Sequence, residues 1–164
     1  RKRNNVDVFY DGDTFPFPDN SFDSILATEV LENVFNPDVF LSEVHRVLKK
    51  KTGILFLSCP LMWMEHQQPY DYGRYTSFGI VHILKKQAFE ILWQGKTVSG
   101  AAAIFQLIAS YLRTKIRVKN YYLQIFLYSL FISPATILGI VASRFSSQQG
   151  SPVFIGSVVL AKSV

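Results

Sequence analysis

Between Asp11 and Pro60 the chain reads, in order, as a strand end, an acidic turn, an apolar strand, a capped helix and a second apolar strand. That order restricts the fold more than any single residue does. Phe22 to Thr28 and Gly53 to Cys59 are short apolar runs, the pattern of parallel strands covered on both faces. Between them Asn36 is placed to cap a helix, Pro37 to be its first residue and Asp38 its first-turn acid. Phe40, Val44, Val47 and Leu48 then fall on one apolar face. Lys49, Lys50 and Lys51 suit the negative end of the helix dipole, and Gly53 follows as the stop. Strand, helix, strand within this length predicts a right-handed crossover unit and therefore an α/β domain.

The remaining elements extend the same plan. Val6 to Tyr10 alternates enough for a short strand ending at Asp11, and a second helix is expected from the Thr76-Ser77 cap with Ile80, Ile83 and Leu84 inward. It leads into a strand from about Phe89 to Val98, and Val153 to Ala161 reads as the last strand. Three regions follow: a core over 1–98, a helical apolar insertion over 99–152 and a final core strand over 153–164. Within the insertion no residue between Lys119 and Arg144 is charged, a length sufficient to cross a bilayer. A single crossing would separate two strands expected to be sheet neighbours. Pro134 is therefore predicted to divide the run into two helices of about ten residues, each about 15 Å long. Such a hairpin would cover the domain, form a homodimer contact or dip into a membrane surface through 121–143. Arg113, Lys115, Arg117, Lys119, Tyr121 and Tyr122 suit the last of these.

Composition narrows the function. With 164 residues and 49% hydrophobic content the chain can bury one sizeable core. The single cysteine excludes an internal disulfide framework and a cysteine-based zinc site, and no metal is expected. Cys59, at the end of an apolar strand, is read as a small buried hydrophobe rather than a reactive thiol, in keeping with a reducing, cytoplasmic setting. Before Lys85 there are 8 Lys and Arg against 11 Asp and Glu, a balance of −3; from Lys85 onward there are 9 against Glu90 alone, a balance of +8. The basic half adjoins an apolar run instead of interleaving with aromatics, which argues against nucleic acid.

Open α/β sheets bind ligands at the carboxyl ends of their strands. That selects Asp11 to Asp13, Ala27 to Glu29, and the loop after Pro60. The first patch reads either as a plain turn or as a ligand edge. Glu29 reads either as a ligand contact or as a solvated first-turn acid. The third patch is the densest polar cluster in the chain: Trp63, Glu65, His66, then Pro69-Tyr70-Asp71-Tyr72-Gly73-Arg74-Tyr75-Thr76. It offers a base of suitable pKa in His66, an orienter in Asp71, an anion fork in Arg74, and aromatic faces in Trp63, Tyr70, Tyr72 and Tyr75. The alternative is a structural loop in which Arg74 pairs with Asp71 and His66 caps a helix.

The motifs Asp11-Gly12-Asp13, Pro16 to Asp23, Leu31-Glu32-Asn33, Arg46-Val47-Leu48-Lys49 and Gly53 to Pro60, taken in order, resemble the second half of the class I S-adenosylmethionine-dependent methyltransferases, in particular the type 11 branch. The polar loop is similar to the E-H-x-x-P-Y-D-Y-x-R-Y-T segment of a subgroup associated with polysaccharide and cell-envelope loci. The family usually has histidine where Asn33 stands and Lys-Pro-Gly-Gly at Lys50 to Gly53. None of the nine glycines falls into a GxGxG or GxGxxG spacing. The resemblance thus implies a partial Rossmann-like sheet, strands 3 to 7 of the order 3-2-1-4-5-7-6, in a portion without the glycine-rich cofactor turn. It implies S-adenosylmethionine as cofactor, with Asp11 accepting from the adenine amine and Gly12, Thr28 and Glu29 beside it. The expected activity is methyl transfer to a small-molecule or glycan-like acceptor, with His66 as general base and Trp63, Tyr70, Asp71, Tyr72, Arg74 and Tyr75 at the acceptor. The truncated chain alone is expected to be weak or inactive. The alternative is a non-catalytic, membrane-associated or scaffolding relative that keeps the fold.

Overall fold

The structure is a computed structural model that describes residues 7–10, 12–145 and 150–164. Two compact units emerge, one of residues 1–95 with 157–164 and one of 96–156.

The first unit is built on the predicted crossover. Strand β1 (Ser24–Thr28) pairs in parallel with β2 (Ile54–Pro60), in the register Ser24 to Ile54 through Thr28 to Ser58. Helix α1 (Pro37–Val47) connects them, and the Asn36 side chain accepts from the Val39 N–H at 3.4 Å, as the cap signal requires. Phe40, Leu41, Val44 and Val47 recur at helical spacing and are all buried. Gly53 is packed so closely that a Cβ there would sit 2.7 Å from the Lys49 carbonyl, so the turn into β2 has no room for a side chain. Helix α2 (Ser77–Lys86) starts at Thr76, whose hydroxyl accepts from the Gly79 N–H at 3.0 Å. Its Ile80 and Leu84 join Leu31, Leu41, Leu48, Leu55, Leu57 and Val159 in one fully buried cluster. Each such side chain contributes about 1.5–3 kcal/mol by leaving water.

Strands β3 (Phe89–Lys96) and β4 (Gly156–Ser163) complete a sheet of order β1-β2-β4-β3. The Val164 N–H donates to Ala88 and the Ser163 N–H to Gly53, so the end of β4 lies beside the starts of β2 and β3 and runs antiparallel to both. This is the expected 4-5-7-6 order. In the second unit, helix α3 (Ala101–Lys115) packs against helix α4 (Tyr121–Phe145).

Three expectations are corrected. No strand forms at Asp7 to Tyr10, and Val6 lies outside the described residues. Tyr10 instead packs edge-on against Phe15 at 4.5 Å, at the margin of the core. Strand β1 is not covered on both faces, because it sits at the sheet edge and Leu26 is 71% exposed. Pro134 does not split the apolar run: α4 is continuous over 25 residues with Pro134 inside it. The missing N–H removes one bond of the helical ladder, which the packing of Ile132 and Ala135 on α3 Ala109 offsets.

Candidate functional site

The acidic turn that precedes β1 is held from α1. Arg46 donates to both carboxylate oxygens of Glu43, at 2.7 and 2.8 Å, and to Asp19 at 2.6 Å, Phe17 O at 2.9 Å and Phe15 O at 3.1 Å. Glu43 Oε2 in turn accepts the Phe15 N–H at 2.8 Å. The Arg46 guanidinium keeps the Glu43 carboxyl below its ordinary value. Sequence reading missed this clamp, although an acid and an arginine at i and i+3 on the polar side of α1 were its visible signal. Asp11 itself lies outside the described residues. Gly12 has a φ of +111°, the region that favours glycine, and nothing lies within 4 Å of where its Cβ would be.

At the carboxyl end of β1, Thr28 is exposed and Glu29 adopts a left-handed backbone, φ +52°. Glu29 is therefore not a first-turn helix acid. Its N–H donates to Ser58 O at 3.1 Å and its Oε1 accepts from Ser58 Oγ at 2.9 Å, so the carboxylate is fixed against the end of β2.

Beyond Glu29 a 3₁₀ turn at Leu31–Asn33 carries Glu32 into the interior, where it is fully buried. Its carbonyl accepts the N–H groups of Tyr72 at 2.7 Å and Gly73 at 3.0 Å, tying the turn to the polar loop. Desolvation raises the Glu32 carboxyl above its ordinary value, helped by the Glu29 charge. Oε2 faces the Cys59 thiol at 3.9 Å, while Oε1 has no hydrogen-bond partner. Cys59 is pushed up to about 12 by burial and by the Glu32 and Glu29 carboxyls, which makes it an inert packing residue.

His66 sits over this carboxylate, with Nε2 3.6 Å from Glu32 Oε1. Its Nδ1 lies 3.2 Å from Met64 O and 3.4 Å from Asp71 Oδ2, and its backbone N–H donates to Asp71 Oδ2 at 2.9 Å. Arg74 forks onto Asp71, at 2.7 Å for Nη2 to Oδ2, and also donates to Gly73 O and Met64 O. The guanidinium holds the Asp71 carboxyl far below the usual carboxylate range. Acceptors thus lie on the Nδ1 side of the ring, and Nε2 faces Glu32 Oε1. Sequence reading assembled His66, Asp71 and Arg74 but gave Glu32 no role. Among the aromatics, Tyr70 and Tyr72 are exposed, Trp63 is half-buried, and Tyr72 stacks edge-on with exposed Phe35 at 5.3 Å. Tyr75 packs against the core, and burial raises its phenol. Arg74 spends its donors inside the loop, so it is not a free anion fork.

A family model described as a methyltransferase domain matches residues 1–57. Over that segment the chain is similar to the class I S-adenosylmethionine-dependent methyltransferases. A ubiquinone/menaquinone biosynthesis C-methyltransferase of Cupriavidus pinatubonensis is 29% identical over 104 residues, 63% of this chain and 37% of the relative. One of Paraburkholderia phytofirmans is 30% identical over the same shares. The chain thus spans little more than a third of the length of these curated relatives. Among solved structures, the [4+2]-cyclase SpnF matches with a TM-score of 0.56 at 19% identity, over 94% of this chain and 55% of that one. A phosphoethanolamine N-methyltransferase 2 of Haemonchus contortus, in complex with S-adenosylhomocysteine and phosphomonomethylethanolamine, matches with a TM-score of 0.51 at 16% identity, over 91% and 35%. These structures support the class I methyltransferase fold, and a cyclase among them means that the fold alone does not name the reaction. The cofactor of the class I methyltransferases is S-adenosylmethionine.

Proposed function

We propose that this domain serves methyl transfer from S-adenosylmethionine to a small-molecule or glycan-like acceptor in the cytoplasm. The observation that carries the reading is His66, set between Asp71 and the buried Glu32 in the loop that follows the carboxyl end of β2. The open space at Gly12 and the fixed carboxylate of Glu29 fit the flat base and the ribose edge of such a cofactor, with Thr28 next to Glu29; Asp11 keeps the adenine role that the resemblance implies. Bound there, the cofactor supplies an electrophilic methyl carbon. A hydroxyl acceptor must lose a proton as it is methylated, and His66 is the base placed to take it. Glu32 Oε1 then faces the imidazolium, and Asp71, itself held by Arg74, keeps the ring in place at Nδ1. Trp63, Tyr70 and Tyr72 offer faces suited to a sugar or an aromatic ring, while Tyr75 braces the loop.

The test is incorporation of a labelled methyl group by the full-length natural protein. Demethylated quinols, after the named activity of the relatives, and envelope glycans serve as acceptors. His66→Ala should lower kcat by about 10²-fold or more with cofactor affinity nearly unchanged. Equal turnover in the variant would remove His66 from the reaction, and cofactor binding without transfer to any acceptor would favour a non-catalytic relative.

A further inference from the structure

The α3–α4 unit has a surface that methyl transfer does not use. Helix α4 is buried only along Ile132, Ala135 and Gly139, with Tyr128 partly covered, a narrow stripe that faces α3. The approach there is close enough that a Cβ on Gly139 would meet Phe105 Cβ at 2.8 Å. On its other sides Phe126, Phe131, Leu138 and Ile140 are each about half exposed or more, and α3 adds exposed Ile104, Ile108 and Tyr111. A soluble surface helix would be polar there.

Three hydroxyls on α4 bond back to the helix's own carbonyls, as a water-free medium favours. Ser129 Oγ donates back to Ile125 O and Phe126 O at 3.0 and 2.8 Å, Thr136 to Ile132 O at 3.1 Å, and Ser143 to Ile140 O at 2.7 Å. Gln124 donates to the Tyr128 hydroxyl at 2.9 Å.

Charge distinguishes the occupants. Residues 96–156 contain six Lys and Arg and no Asp or Glu, and Arg113, Lys115, Arg117 and Lys119 cluster at the turn between the helices. Arg113 lies over the Tyr128 ring at 5.7 Å and Lys115 over Tyr111 at 5.3 Å. A second copy of this unit brings no acid to meet these cations, whereas an anionic lipid surface does. The two feet of the hairpin are tied by Gly100 N–H to Val153 O at 2.8 Å and by the antiparallel bridge of Ser99 with Phe154. The chain therefore enters and leaves the unit at one place. Insertion tip first would drag four cations through hydrocarbon, so the orientation left is flat in the interface.

We propose that the α3–α4 hairpin is a monotopic membrane anchor. It lies in the plane of an anionic bilayer surface, with the exposed apolar sides of α4 among the acyl chains and the basic turn among the headgroups. This is independent of the reaction assigned above.

Flotation of the protein with phosphatidylcholine vesicles, with and without about one third phosphatidylglycerol, tests it. Binding should require the anionic lipid and fall about tenfold or more between roughly 0.1 and 0.5 M salt. It should fall similarly on charge reversal of Arg113, Lys115, Arg117 and Lys119 in a variant whose circular dichroism is native. Phe131→Asn with Leu138→Asn, which keeps every charge, should also abolish it. No flotation at low salt, or flotation indifferent to lipid charge, would overturn the proposal. So would a dimer in ultracentrifugation without vesicle binding, which assigns the face to a second copy. A tag after Val164 protected from protease inside sealed vesicles would overturn the in-plane orientation.

Discussion

A carboxylate taken out of water must be neutralised, paired or hydrogen-bonded; Glu32 has the Cys59 thiol at Oε2, His66 3.6 Å from Oε1, and a carboxyl raised by burial. Its raised pKa has a sign that can be checked. Between the ordinary carboxyl value and the raised one, the folded chain binds a proton that the unfolded chain has released. Stability contributed by this group is therefore present below the ordinary value of 4.5 and is lost as pH rises through the raised one. Glu32→Gln removes the titration. Its stability relative to the native chain should grow as pH rises above 4.5, with a slope of at most about 1.4 kcal/mol per pH unit. Denaturant midpoints measured across that range decide it, and parallel curves for the two proteins would mean that Glu32 is not held as a buried acid. Asp71 acts in the opposite sense and at lower pH, since Arg74 depresses it and its contribution disappears on acidification. His66, Asp71 and Arg74 were legible because they crowd into one short segment. Glu32 was not, because its partner is brought to it only by the fold, and the neighbouring position, Asn33, drew attention for the histidine it lacks.

Elements whose signals are local were readable. Asn36 and Thr76 cap α1 and α2 with the side chains the sequence nominated, and the apolar runs around β1 and β2 pair in parallel. The failures are elements whose fate is set by a distant neighbour. Asp7 to Tyr10 has strand-like alternation but Tyr10 packs onto Phe15 instead, and α4 continues through Pro134 because α3 supports it on both sides of the proline. Proline within a helix costs about 3 kcal/mol relative to alanine. Pro134→Ala should therefore stabilise the α3–α4 unit by up to about that amount, read as a higher thermal midpoint with unchanged helicity. A lower midpoint would show that the chain needs a break at this position.

At the scale of the whole molecule, strand order carries the fold assignment and places two patches, Thr28 to Glu29 and the loop after Pro60, at the carboxyl ends of the parallel strands β1 and β2, where such sheets bind ligands. Sequence order predicted that arrangement because the crossover unit has few alternatives. For the apolar run, domain cover, a homodimer contact and a membrane surface were all left open, since hydropathy alone does not say which side of a helix a neighbour will cover. With no GxGxG spacing among its glycines, the chain should grip the adenine side of the cofactor weakly, at about millimolar concentration or above. The most direct measurement is a ¹H–¹⁵N correlation titration of the protein with S-adenosylhomocysteine. The predicted result is a set of shifts centred on Gly12, Thr28 and Glu29, saturating only at millimolar ligand. Shifts centred elsewhere, or none at several millimolar, would contradict a cofactor site at the ends of β1 and β2.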